Sequence, residues 1–320
     1  MLFILDLIYR EKENRNALCR YHDGVVTLHM KRDEADKPVG LLGIDVDGTL
    51  ITDDGHITES VYSALEKAVS ARWEFVIASG RTYYAAKTVI DRLPFLRYAI
   101  LSNGACIIDT RHDRILLLEK LSPGVAKEVV EMARKLGAIP VLYNTDIFHQ
   151  TVYYDTVEGG CEFFRWYVRD DQRCKRVDNV MDYIRDVLQI GMIAGRDMIF
   201  SIREALSGID ARALALPFES VHFGGKNRDF WFMQVVAREA TKHAALRRVA
   251  GWLDIPPGRL VAVGDNYNDA DMISLADIGV AMGNAPDEIK KIAREVVGSN
   301  NGSGLADVVE RIVLNEEYFT

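Results

Sequence analysis

The chain has 320 residues, 48% hydrophobic and 27% charged, which argues against a disordered or membrane-embedded protein and implies a large core in one or two domains. Its formal charge of -8, from 47 acidic against 39 basic residues, argues against a general nucleic-acid surface, which needs clustered positive charge. Four cysteines, Cys19, Cys106, Cys161 and Cys174, form no CxxC pair; they are too sparse for a disulfide scaffold and read as reduced thiols of a cytoplasmic protein.

Residues 1-40 form an N-terminal extension of uncertain order, with apolar pieces at 2-9 and 24-30. They read either as a β-hairpin added to a sheet edge or as a loosely ordered segment. The opening Met1 to Tyr9 lacks a basic leader, is interrupted by Asp6 and is too short to span a membrane, so neither export nor membrane attachment is expected. Met30 is an alternative start for the native chain, because a charged tip leads from it into the first confident strand; a full-length intact mass excludes that start.

From 41 to 121 strands and helices alternate, which predicts a parallel, covered sheet. The first strand, Leu41 to Ile44, ends in Asp45-Val46-Asp47-Gly48-Thr49. Thr58 is a predicted N-cap, with Val61, Leu65 and Ala68 at helical spacing behind it. The second strand, Phe75 to Ala78, ends in Ser79-Gly80-Arg81, and the third, Tyr98 to Leu101, in Ser102-Asn103-Gly104. Between 122 and 227 helical patterns mix with aromatic β-like segments, which predicts a separate α+β unit. From 228 the first architecture is expected to resume, with Phe230 to Met233, then Lys242, then the strand Leu260 to Val263 ending in Gly264-Asp265-Asn266-Tyr267-Asn268-Asp269.

Asp45 and Asp47 are two apart on a strand, so they emerge on one face at its end, where ligands bind in α/β sheets. If the two acid-tipped strands lie centrally in one sheet, Asp265 approaches them. An all-oxygen site results that suits Mg2+, and no Cys or His in these loops serves a softer metal. Such a site commonly holds phosphate oxygens. Ser79 offers a hydroxyl, the amides around Ser79, Gly80 and Arg81 open a helix that favours an anion, and Lys242 adds fixed positive charge. One Asp is then suited to attack phosphorus, while the other protonates the leaving oxygen and activates water.

In this order Asp45-Val46-Asp47-Gly48-Thr49, Ser79-Gly80-Arg81, Lys242 and Gly264 to Asp269 resemble the four motifs of the haloacid dehalogenase superfamily. Asn103-Gly104-Ala105, the inserted unit, Gly279 to Ala285 and Asn301-Gly302-Ser303-Gly304 resemble its Cof-type sugar-phosphatase branch, over about 40-315. The resemblance implies a Rossmann-like parallel sheet core with helices on both faces, at 41-121 and 228-320, and an α+β cap at 122-227. It implies Asp45 as nucleophile and metal ligand, Asp47 as general acid/base lending its backbone carbonyl to the metal, and Asp265 as third ligand. Ser79, Gly80, Lys242 and Asn268 would hold the phosphoryl group, and Asp269 would orient Lys242 or metal-bound water. Ser79 stands where many members have threonine, Arg72-Trp73 replaces a glycine-containing turn, and Gln234 and His243 stand where relatives often have an acid and a glycine.

The expected activity is a Mg2+-dependent phosphatase acting on a small phosphorylated metabolite through an aspartyl-phosphate. Its rivals are a phosphomutase and a non-catalytic binder of phosphorylated ligands. A dehalogenase has no need of Asp47, and a nucleotide-binding dehydrogenase lacks its GxGxxG. The cap aromatics, among them Tyr143, Phe148, Phe163 and Trp166, read as core, with Asp146 and His149 as candidate readers of the leaving group. Hinges of an opening cap are expected near 119-124 and 224-230. Oligomeric state is left open.

Overall fold

The computed structural model describes residues 17-22, 25-30, 37-220 and 225-319. In chain order the elements are β1 (Ala17–His22), β2 (Val25–Met30), β3 (Gly40–Ile44), α1 (Glu59–Ser70), β4 (Trp73–Ala78), α2 (Tyr83–Ile90), β5 (Tyr98–Leu101), β6 (Cys106–Asp109), β7 (Arg114–Leu118), α3 (Pro123–Lys135) and β8 (Val141–Asn144). There follow β9 (Val152–Tyr154), α4 (Glu162–Asp170), β10 (Cys174–Arg176), β11 (Val187–Gly195), α5 (Arg196–Ala205), β12 (Ala211–Ser220) and β13 (Gly225–Ala237). The chain continues with α6 (Lys242–Trp252), β14 (Leu260–Gly264), α7 (Ala270–Leu275), β15 (Ile278–Ala281), α8 (Asp287–Ile292), β16 (Glu295–Val296) and α9 (Gly304–Val308). Two compact units emerge. The second holds Arg81–Lys87 and Leu118–Ala240, and the first holds the other described residues.

The first unit is built on an eight-stranded sheet of order β16-β15-β14-β3-β4-β5-β6-β7. From β16 to β5 every pairing is parallel, and β6 runs antiparallel to β5. The sheet is covered on both faces, as the unbroken apolar strands require. On one side Leu246 and Val249 of α6 pack with Leu41, Val76 and Ile100. Phe75 neighbours Val76 and so faces the other way. There its ring meets Phe95, which in turn meets Tyr62 of α1. Thr58 caps α1 as expected, its hydroxyl accepting from the Val61 N–H at 3.3 Å.

Arg72, where the resemblance implied a glycine-containing turn, has φ +65°. A left-handed conformation costs a side-chain-bearing residue about 1 kcal/mol. Arg72→Gly is therefore expected to stabilise the chain by roughly that amount, read as a higher midpoint in thermal denaturation.

β1 and β2 pair antiparallel, from Ala17↔Met30 to His22↔Val25, so the partner of 25-30 is 17-22 and not the expected 2-9. They form their own two-stranded sheet rather than extending a larger one. The apolar piece at 2-9 lies outside the described residues.

The second unit carries a six-stranded sheet of order β10-β9-β8-β11-β13-β12, antiparallel except for β9 with β10. Alternation along its strands supplies two cores. Ile190, Met192, Met233 and Val235 pack with Val129 of α3 and Ile199 of α5, while Val141, Tyr143 and Ile193 pack with Phe163 and Phe164 of α4. The aromatic residues thus serve largely as core, as anticipated.

The unit boundary corrects the expected one. Phe230 to Met233 belong to the second sheet, because β13 pairs with β11 from Gly195↔Phe230 to Ile190↔Val235. The chain crosses between units at 117/118 and 240/241 rather than at 121/122 and 227/228. Residues 225-230, expected as part of a hinge, lie within β13, and 221-224 lie outside the described residues. Gln234 is buried there and its Nε2 donates to the side-chain Oε1 of Gln189. Among the described residues no helix is long and apolar enough to cross a membrane.

Candidate active site

β3 and β14 are adjacent and parallel, with Ile44 opposite Val263, so the acids that follow them emerge side by side. The Asp45 N–H continues the ladder by donating to the Val263 carbonyl at 2.9 Å. Asp45 is buried, whereas Asp47 is exposed at the mouth of the same turn. Gly48 makes the turn possible in two ways. Its φ is +76°, and a Cβ there would lie 2.3 Å from Asp265 Oδ2.

Lys242 is the first residue of α6, capped by the Thr241 hydroxyl, which accepts from the Ala244 N–H at 2.9 Å. Gly104, at φ +102°, lets that cap approach, since a Cβ there would sit 2.2 Å from the Thr241 carbonyl oxygen. Fully buried, Lys242 Nζ donates to Asp45 Oδ1 at 2.5 Å and to Asp269 Oδ1 at 2.6 Å. Burial opposes its charge, but Asp269 and Asp45 outweigh burial and hold its pKa above the ordinary lysine value.

Asp269 Oδ2 accepts from the N–H groups of Asp265 and Asn266, at 3.1 and 3.0 Å. With Lys242 on the other oxygen, this carboxylate is committed to holding the lysine and shaping the loop. Asp265 accepts from the Thr49 hydroxyl at 3.3 Å and from Asn284 Nδ2 at 3.1 Å. One carboxylate oxygen from each of Asp45, Asp265 and Asp269 lies within 4.8 Å of the others. These hard oxygen donors fit Mg2+, with Asp45 and Asp265 as the side chains available to hold it.

Without a cation such clustering is costly. Burial, then Asp269, push the Asp45 carboxyl well above the usual carboxylate range, and the same two causes push Asp265 up to about 7. An unfolded Asp265 releases its proton near 3.8, whereas the folded one holds it to about 7. Metal-free stability therefore falls as pH rises between those values, and the cost is complete above the upper one. Asp265→Asn is expected to raise metal-free stability at pH 8 by on the order of a few kcal/mol, read as a higher thermal midpoint. Its advantage should shrink toward pH 5, and the Mg2+-induced rise in midpoint should disappear. Scanning calorimetry at both pH values, with and without Mg2+, checks each part.

Ser79 is buried at the end of β4, its N–H donating to the Ile100 carbonyl at 2.9 Å. Its own carbonyl accepts from the Asn103 N–H at 3.0 Å. Asn103 is buried with φ +54°, and its Oδ1 accepts from Asn268 Nδ2 at 3.1 Å. A Cβ on Gly80 would come 3.0 Å from Asn103 Nδ2. Asn103 thus ties the Ser79-Gly80 turn to Asn268. Thr49, Asn103 and Asn284 stand in the sequence motifs, but no role was assigned to them from sequence. Arg81 falls in the second unit and donates to the Ala85 carbonyl at 3.0 Å, within the first turn of α2. In the second unit Asp146 accepts from the His149 N–H at 3.2 Å, and both side chains are exposed.

A family model described as haloacid dehalogenase-like hydrolase matches residues 42-309. The chain belongs to the haloacid dehalogenase-like hydrolases, in agreement with the Cof-type resemblance of its motifs. Among similar proteins, the 5-amino-6-(5-phospho-D-ribitylamino)uracil phosphatase YcsE of Bacillus subtilis is 27% identical over 288 residues, covering 90% of this chain and 100% of its own. Phosphatase YwpJ of the same organism is 25% identical over 291 residues, covering 85% of this chain and 99% of its own. In fold the chain matches BT1666 of Bacteroides thetaiotaomicron, with a TM-score of 0.70 at 21% identity over 88% of this chain and 97% of that one. Family and relatives agree on the enzyme class, a phosphoric monoester hydrolase.

Proposed function

We propose that the chain is a Mg2+-dependent phosphatase that cleaves a small phosphorylated metabolite, a sugar phosphate or similar, through an aspartyl-phosphate on Asp45. The observation that carries this reading is the placement of Asp45 between a buried lysine and a second carboxylate at adjacent strand ends. A merely structural salt bridge has no need of two further acids beside it. Mg2+ held by Asp45, Asp265 and the Asp47 carbonyl would neutralise charge on the phosphate oxygens.

The residues divide the remaining work. Lys242 keeps Asp45 oriented and offsets the negative charge that gathers as a phosphate ester enters. The Asp45 carboxylate forms the new O–P bond as the ester O–P bond breaks. Asp47, exposed at the mouth, gives its proton to the departing alkoxide. It then takes one from the water that attacks phosphorus, releasing inorganic phosphate and regenerating Asp45. Ser79, Gly80 and Asn268 hold the phosphoryl oxygens, with Asn103 bracing them from behind.

Inorganic phosphate release should be followed over a panel of sugar phosphates, flavin and pyridoxal phosphates, nucleotides and the ribitylaminouracil phosphate named for YcsE. Release that requires Mg2+ and stops with EDTA is expected. Release that is indifferent to EDTA, or silence across the whole panel, would overturn the proposal.

A further inference from the structure

Gly283-Asn284-Ala285 and the turn 299-303 take no part in the chemistry proposed above, yet the turn meets Asn284 and Asn284 meets Asp265. The Asn300 N–H donates to Asn284 Oδ1 at 3.1 Å. Asn284 Nδ2 donates to the Gly48 carbonyl at 2.9 Å and to Asp265 Oδ2 at 3.1 Å. A backbone N–H only donates, whereas a backbone carbonyl only accepts, so Asn300 and Gly48 alone fix which end of the amide faces which way. A single orientation of the Asn284 amide therefore satisfies all three partners.

The turn that fixes this orientation is itself anchored. Asn300 is buried, and its Nδ2 donates to the Ile51 carbonyl at 3.0 Å and to Asp53 Oδ1 at 3.1 Å. Asn301 and Asp53 exchange two more bonds, at 3.0 and 2.9 Å. Segment 48-53, which follows the nucleophile, is thereby clamped to 299-301, and one amide group holds that segment and Asp265 in register.

We propose that Asn284 is a positioning residue that sets divalent-cation affinity by fixing the Asp265 carboxylate against the repulsion of Asp45 and Asp269. With Thr49 on one oxygen and Asn284 on the other, Asp265 is held in place before a cation arrives. Without the amide, part of the binding energy goes into ordering the carboxylate, and outer-shell donors of this kind are commonly worth 10- to 100-fold in metal affinity. This inference rests on the Mg2+ reading above.

The test is calorimetric titration of Mg2+ into the metal-free full chain, parent against Asn284→Ala. Asn284 is exposed, so the truncation leaves the core untouched. The expected result is a Mg2+ dissociation constant raised about 10- to 100-fold, with the Mg2+ concentration for half-maximal turnover rising by the same factor. Asn284→Ser, which also loses the paired donors, carries the test if the alanine variant is poorly soluble. Unchanged Mg2+ affinity, with only the metal-free thermal midpoint lowered, would overturn the inference and leave the phosphatase reading standing. A parent chain that binds no Mg2+ would overturn both.

Discussion

Asp45→Asn is expected to reduce phosphate release by on the order of 10³-fold or more, because no other step can substitute for loss of the attacking carboxylate. Asn is nearly isosteric and still offers Lys242 an oxygen, so the fold should survive. Burial and Asp269 already disfavour the ionised form of Asp45. Removing the charge should therefore leave the metal-free thermal midpoint of the variant at or above that of the parent. Loss of turnover with stability retained is the signature to look for. An inactive variant that is also unfolded would point to a structural role for the carboxylate instead.

Lys242→Met is expected to cost both activity and stability. The lysine is fully buried between two carboxylates. Breaking a buried pair by removing one partner commonly costs about 3–5 kcal/mol, because the charge left behind has neither water nor a counter-ion. The loss should be larger at pH 8 than at pH 5, where the elevated pKa lets Asp45 take up a proton and shed its charge. Denaturant titration at the two pH values measures this difference. Lys242→Arg should rescue little. A planar guanidinium does not fit a space in which a single ammonium sits 2.5 and 2.6 Å from its two partners.

Much of this site was legible in the sequence, because its reacting groups sit in short motifs at the ends of apolar strands. Asp265 lies beside Asp45, as expected if their strands are neighbours in one sheet, and Lys242 reaches Asp45. Their supports were harder to read. Thr49, Asn103 and Asn284 act through contacts with loops 165 to 236 residues away, and no local pattern reports such distances. Placement of Phe230 to Met233 in the wrong sheet has another cause. An apolar run predicts a strand but says nothing of its partner, and its register with β11 decides the matter. The hairpin of β1 and β2 carried an available signal, since Asp23-Gly24 between β-rich segments is a strong two-residue turn sequence.

Gly48 and Gly104 carry no functional group, yet each occupies a point where a single added carbon would displace a part of the site. In a saturation-mutagenesis screen scored by turnover, both positions should be nearly as intolerant as the aspartates. At Gly48 even alanine would collide with Asp265, and at Gly104 it would displace the residue that caps the helix bearing Lys242. Intolerance at these two positions would thus reflect spacing between catalytic groups rather than chemistry of their own, and it would mark the boundary of the active site more widely than a map of reactive side chains.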